Sequence, residues 1–150
     1  MAKLLSNYLI MSILIETESA RHYLSLLQEN IKRMASNSAN CKTWTITIVT
    51  AMLALTLSDE SILEYLQVLY IPVASFFFLD SYYLSIEQRF RKVHKNFVKV
   101  AKENGDISEL IYAFNVDEYP WGRQFFYATT SISTWPFYLI LGVIITLLIF

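Results

Sequence analysis

SILEYLQVLYIPVASFFFLDSYYLSI, residues Ser61–Ile86, is the stretch on which the fold turns. It is mostly apolar, holds no Lys or Arg, and carries Pro72 near its middle. Proline is tolerated inside a membrane helix and usually kinks it. Upstream, Thr43–Leu57 is apolar and rich in Thr, and with its flanks it is long enough to cross a thin bilayer. Ser58-Asp59-Glu60 between the two forms a short acidic turn. Residues 41–86 therefore read as a transmembrane helical hairpin.

Composition points the same way. The chain is 55% hydrophobic, 15% aromatic and 17% charged, where a soluble domain carries about 25% charged residues. Too few polar side chains remain to cover a soluble surface, and the apolar ones come in long runs. The net charge of −1 is uninformative, but the distribution is not. Every Lys and Arg lies in residues 3–42, in residues 89–102 or at Arg123. The positive-inside rule places both basic regions in the cytoplasm and the Asp59-Glu60 turn on the other side.

The flanking segments complete an expected organisation of four parts. Residues 1–40 hold cytoplasmic or interfacial helices. Leu4–Ile15 is apolar but too short to span, and Glu16, Thr17 and Glu18 follow it where a signal peptide would need small residues. From Glu16, Tyr23, Leu26, Leu27, Ile31 and Met34 recur at helical spacing, until Ser36-Asn37-Ser38-Ala39-Asn40 is predicted to end the helix. Residues 87–123 form a basic module. Phe90, Val93, Phe97 and Val100 make one stripe, and Lys92, Lys95, Lys99 and Lys102 the opposite one. Gly105 suits a helix end, and Asp106 or Ser108 suits the cap of a short helix through Asn115. Residues 124–150 are a third apolar segment, predicted to span from about Phe125 and to end on the outer side. The fold class is thus an all-α integral membrane protein: a transmembrane hairpin, a C-terminal membrane helix and cytoplasmic amphipathic helices. The N-terminus is expected on the cytoplasmic side.

Four sets of residues are candidates for function. Asp80 is ionisable yet lies about two turns inside the apolar stretch, so it needs a partner. Lys42 starts the first span at a matching level, and the two are expected to approach each other within or between subunits, in a gating or ion-path role; the alternative is structural, an ion pair or an Asp80 hydrogen-bonded to Tyr or Ser. Thr43, Thr47, Thr50 and Ala54 share a face, either a packing surface or a hydroxyl stripe lining a pore. Glu64 and Gln67 either shape a cation vestibule or are simply interfacial. Arg89, Arg91, Lys92, Lys95, Lys99 and Lys102 form a basic ridge that binds anionic lipid, binds a nucleotide or oligonucleotide phosphate chain, or is a solvated face paired to Glu87, Glu103 or Glu109. Cys41 reads as a free thiol. The chain has no Gly-rich phosphate loop, HExxH, CxxC or GxSxG, so neither an enzyme, a metal nor a cofactor is expected.

Two segments resemble a known group. Arg33-Met34-Ala35-Ser36-Asn37-Ser38-Ala39-Asn40-Cys41-Lys42-Thr43-Trp44 resembles the approach to the first span in many small bacterial membrane proteins. Phe78-Leu79-Asp80-Ser81-Tyr82-Tyr83-Leu84-Ser85-Ile86-Glu87 resembles the exit of their second span, an LDxYYLxxE pattern. These are the two- or three-span effectors of anti-phage systems: retron-associated, SLATT-type, and the channel subunit of the nucleotidyltransferase-linked Hailong system. The resemblance implies a homo-oligomeric channel or pore that disrupts the inner membrane on infection, halts growth, and is regulated by a nucleotide or oligonucleotide made by a partner enzyme. A chain of this size encloses a conduit only by self-association, for which a tetramer is the expected number. The competing expectations are a non-conducting adaptor that anchors a cytoplasmic partner, and a transporter subunit.

Overall fold

An inward-facing stripe runs along the first third of the chain as Tyr23, Leu27, Ile31, Met34, Ser38, Cys41, Thr45, Val49, Met52 and Thr56, each buried or half-buried. Its mean period is close to the 3.6 residues of an α-helix. In the computed structural model these residues belong to one helix, α1, Ala2–Ser58, which at 1.5 Å per residue is about 85 Å long. The structure describes residues 2–58, 66–103 and 107–149, with side chains from residue 17 to residue 56 in the first of these.

Helix α2, Tyr70–Lys102, follows a 3-10 turn at residues 66–69. It runs back along α1 in constant register. Tyr23 meets the Phe97 ring edge-on at 5.1 Å, Leu27 shares a cluster with Val93, Ser38 touches Asp80, and Val49 shares a cluster with Val73. Each step along α1 is matched by a step back along α2. A 3-10 turn at Val116–Glu118 leads into α3, Trp121–Thr129, which packs on α2. Helix α4, Trp135–Ile149, runs antiparallel to the apolar half of α2. There the Tyr138 hydroxyl donates to the Phe76 carbonyl at 3.2 Å, and the Tyr70 and Thr146 hydroxyls are 2.7 Å apart.

Two apolar cores result. In the polar half, Tyr23, Leu27, Val93 and Phe97 are buried with Leu110, Ile111 and Val116 against them. In the apolar half, Val49, Leu66, Leu69, Val73, Tyr138 and Ile145 are buried. Outside that second core lies uncovered apolar surface, including Ile71 at 66% exposure and Leu147 at 74%. Among the described residues, all regular elements are helical. Leu66–Lys102 is long and apolar enough to cross a membrane, and α4 is a shorter apolar helix.

Four sequence expectations are corrected. Ser36–Asn40 does not end a helix, because α1 continues through it. The segment holds no Pro or Gly, and Ser38 finds a hydrogen-bond partner on α2 instead of capping its own backbone. The helices therefore pass straight through the expected boundaries at 40/41 and 86/87. Pro72 does not lie mid-helix. It lies in the first turn of α2, where its missing N–H has no intrahelical acceptor to lose. No helix forms between Ser108 and Asn115. A chain of turns stands there, with Tyr112 at φ 63°, a left-handed conformation that ends helical continuation. The third span is divided. Residues 130–134 separate α3 from α4, and the Thr129, Thr130 and Ser131 hydroxyls bond local backbone groups there, competing with the helix ladder. Helix α4 keeps 15 residues, about 22 Å. Gly105 and Asp106 lie outside the described residues.

Because Ala39 is exposed on a continuous helix, Ala39→Pro should destabilise the fold by about 3 kcal/mol or more. Ala39→Gly should cost only about 1 kcal/mol. Thermal melts followed by circular dichroism check this; a linker at that point would leave both variants unchanged. Burial also pushes the Tyr23 phenol above its ordinary value of 10.0, and its hydroxyl donates to the Ala113 carbonyl at 3.0 Å. The fold thus favours the neutral phenol. This contribution is fully present below pH about 10 and is lost as the pH rises from there through the raised native value. Stability should therefore fall more steeply above pH about 10 in the wild type than in Tyr23→Phe, which thermal melts across that range check.

Candidate functional site

Asp80 is fully buried where α1, α2 and α4 converge. A lone carboxylate there would cost several kcal/mol through lost hydration. Two α1 side chains answer it. Ser38 donates to Oδ1 at 2.5 Å, and the Lys42 ammonium lies 2.6 Å from Oδ2. Lys42 approaches Oδ2 off the hydrogen-bonding direction, so that contact is chiefly coulombic. Lys42 also reaches the Ser38 hydroxyl at 3.4 Å, which closes a three-membered network. Ser38 and Lys42 share a face because they are one turn apart.

The helices approach closely here because the seam is built from small residues. Ser38, Cys41 and Thr45 of α1 and Ser81 and Ser85 of α2 are all buried. Thr45, Ser81 and Ser85 satisfy their hydroxyls on their own helix, donating to the carbonyls of Cys41, Phe77 and Tyr82. Small residues of this kind allow close packing in lipid. Helix α4 adds Tyr138, whose ring packs edge-on against Phe77 at 5.5 Å and whose hydroxyl lies beside Thr45 and Asp80. Thr134, at the head of α4, is fully buried, and its Oγ1 has no hydrogen-bond partner among the described residues.

The structure thus brings together Lys42 and Asp80, as their levels in the sequence suggest. It adds Ser38, Thr45 and Tyr138; a Ser or Tyr partner for Asp80 was an open alternative in the sequence, but these particular residues were not singled out there. Ser38 was legible in principle, since Ser38, Lys42 and Thr45 fall at i, i+4 and i+7 on one face. Thr43, Thr47 and Thr50 all lie on the outer face of α1 and are exposed. Each hydroxyl donates to the carbonyl four residues back, at 3.3, 2.9 and 2.6 Å. This stripe is hydrogen-bonded internally and needs no water to satisfy it. Glu64 lies outside the described residues.

The basic ridge on α2 divides. Arg89 is turned inward, where it donates to the Val116 carbonyl at 2.8 Å and meets Asp117 at 3.3 Å. It fastens the loop before α3 and is not presented to an anion. Arg91 pairs with Glu87, one turn away, at 2.6 Å. Lys92 stands over the Tyr119 ring, 5.6 Å from its centre. Lys95, Lys99 and Lys102 are exposed and make no ion pair with any described residue. Lys99 and Lys102 also occupy the last turn of α2, where cations complement the helix dipole.

Comparison with known proteins returns no matching family model, no matching characterised protein and no matching solved structure.

The coupling of Lys42 and Asp80 has a measurable consequence. Lys42→Met leaves an unanswered buried carboxylate and should cost about 3–5 kcal/mol. Lys42→Met combined with Asp80→Leu should recover most of that loss, giving a coupling energy of about 2 kcal/mol or more in a double-mutant cycle. Additive effects would show that the pair is not energetically joined.

Proposed function

We propose that the chain is a membrane effector that assembles into a homo-oligomeric, ligand-gated channel or pore in a bacterial inner membrane. The observation that carries this reading is the Lys42–Asp80–Ser38 network, set at the polar end of the apolar half of the bundle. An ionisable pair inside a membrane segment is costly and marks an ion path or a switch by default. An inert anchor of the same length would be served equally well by apolar residues.

Three further features support it. Leu66–Ile86, the 3-10 turn with the apolar part of α2, rises about 30 Å, matching a bilayer's hydrocarbon thickness. The outer faces of α2 and α4 are apolar and uncovered, with Ile71, Phe78, Leu139, Ile140 and Leu147 exposed. Beyond the seam, the Thr43-Thr47-Thr50 face stands free in one copy. In an oligomer it either lines the conduit or packs subunit against subunit. The N-terminal helix and the basic module face the cytoplasm in this orientation, following the positive-inside rule.

Regulation enters through the same two helices. Because α1 and α2 pass unbroken from the polar half to the Asp80 seam, a ligand on the polar half shifts the seam by leverage. Lys99 and Lys102 present uncommitted charge to a phosphate chain. A nucleotide or oligonucleotide bound there changes the open population only by its differential affinity for the two states. The resemblance of Phe78–Glu87 and Arg33–Trp44 to anti-phage membrane effectors supplies the biological setting: growth arrest on infection, with the ligand made by a partner enzyme.

Ion flux from liposomes holding the purified full-length protein tests this. Asp80→Asn, which keeps the size of the side chain and removes its charge, should change basal flux by about tenfold or more while leaving the assembled size unchanged. Lys99→Glu with Lys102→Glu should abolish the response to a short DNA oligonucleotide. Assembled protein that passes no ions in any of these forms would instead be a non-conducting adaptor.

A further inference from the structure

We propose that the groove between α2 and α3 binds the phosphate of an anionic membrane phospholipid. The proposal rests on the membrane-spanning reading above and names a ligand site within it. The groove has a volume of about 360 Å³ and is lined by Gln88, Arg91, Lys92 and Lys95 of α2 and by Gln124 and Tyr127 of α3.

One wall is cationic. Arg91, Lys92 and Lys95 converge there, and the one carboxylate paired with any of them is Glu87, on the Arg91 Nε. Tyr119 holds Lys92 in place through its ring without neutralising it. The groove therefore carries an excess of positive charge that no described residue answers. The facing wall supplies an amide. Gln124, 2% exposed, lines the groove with its side-chain amide. An amide N–H there is a donor suited to an anion oxygen in the groove.

Position selects a lipid over a soluble phosphate. Gln88 and Arg91 lie about two and three turns beyond Asp80 on α2, just past the end of the apolar stretch. Beside the groove, α3 and the turn after it leave Trp121, Phe126, Tyr127, Ile132 and Trp135 uncovered, with Phe126 at 67% exposure and Ile132 at 89%. Aromatic side chains clustered next to cations at this level are the composition of the headgroup layer. The basic residues of α2 thereby serve two purposes: those near the apolar half hold a lipid, and Lys99 and Lys102 remain for the soluble regulator.

Native mass spectrometry of the detergent-solubilised full-length protein, loaded with phosphatidylglycerol or with phosphatidylcholine, tests the site. The wild type should retain phosphatidylglycerol about tenfold better than phosphatidylcholine. Gln124→Glu and Lys95→Gln should each remove that preference, while Lys99→Gln should leave it intact. Equal retention of the two lipids, an unchanged preference in both groove variants, or displacement of phosphatidylglycerol by inorganic phosphate at equal concentration would overturn the proposal. Failure of the membrane reading looks different: the protein would stay in solution without detergent and would not float with vesicles of either lipid. Protein that floats yet shows no preference overturns the lipid site alone.

Discussion

A carboxylate with no exposed surface must be answered by charge or by hydrogen bonds, and Asp80 is answered by one of each. That requirement sets most of the architecture around it. Lys42 and Ser38 meet Asp80 only if α1 is helical through Ser36–Asn40, for a break there would rotate one of them away. Both helix axes must come close, which the run of small buried residues at Ser38, Cys41, Thr45, Ser81 and Ser85 permits. Tyr138 of α4 then closes the remaining side. The cost of burying charge, several kcal/mol per ion, is met at one point along the hairpin and nowhere else in its apolar half among the described residues.

The same constraint joins the two halves of the molecule. Below the network, α1 and α2 pack through Val49, Leu69 and Val73; above it they pack through Tyr23, Leu27, Val93 and Phe97. No linker intervenes on either helix. A tilt or rotation that loosens the upper core therefore bears directly on a pair whose energy changes steeply with distance in a low-dielectric setting. The loop of residues 107–119 adds to the upper half as a brace, since Arg89 grips Val116 and Asp117 while Tyr23 and His22 hold Ala113 and Tyr112.

Much of this was legible from residue types. An acidic side chain inside an apolar run demands a cation, and Lys42 is the basic residue at the right level. The stripe from Phe90 to Val100 gives the amphipathic half of α2. What was not legible came from tertiary context. Ser36–Asn40 has the composition of a cap, but its polar groups are directed to the neighbouring helix. Pro72 looks like a mid-span kink only when the start of α2 is placed too early. The C-terminal apolar run looks continuous by hydropathy, while its Thr and Ser hydroxyls divert the backbone at residues 130–134. Arg89 belongs to the basic ridge by spacing, and only the fold shows that it faces the loop.

A membrane-embedded bundle requires above all that the outer faces of α2 and α4 be solvated by acyl chains. Spin labels placed singly at Ile71, Phe78, Leu139 and Leu147 in the vesicle-reconstituted protein would measure this directly through their relative accessibility to oxygen and to an aqueous nickel chelate. High oxygen and low nickel accessibility is expected at all four, and the reverse at Lys99. Nickel accessibility at those four positions equal to that at Lys99 would contradict it.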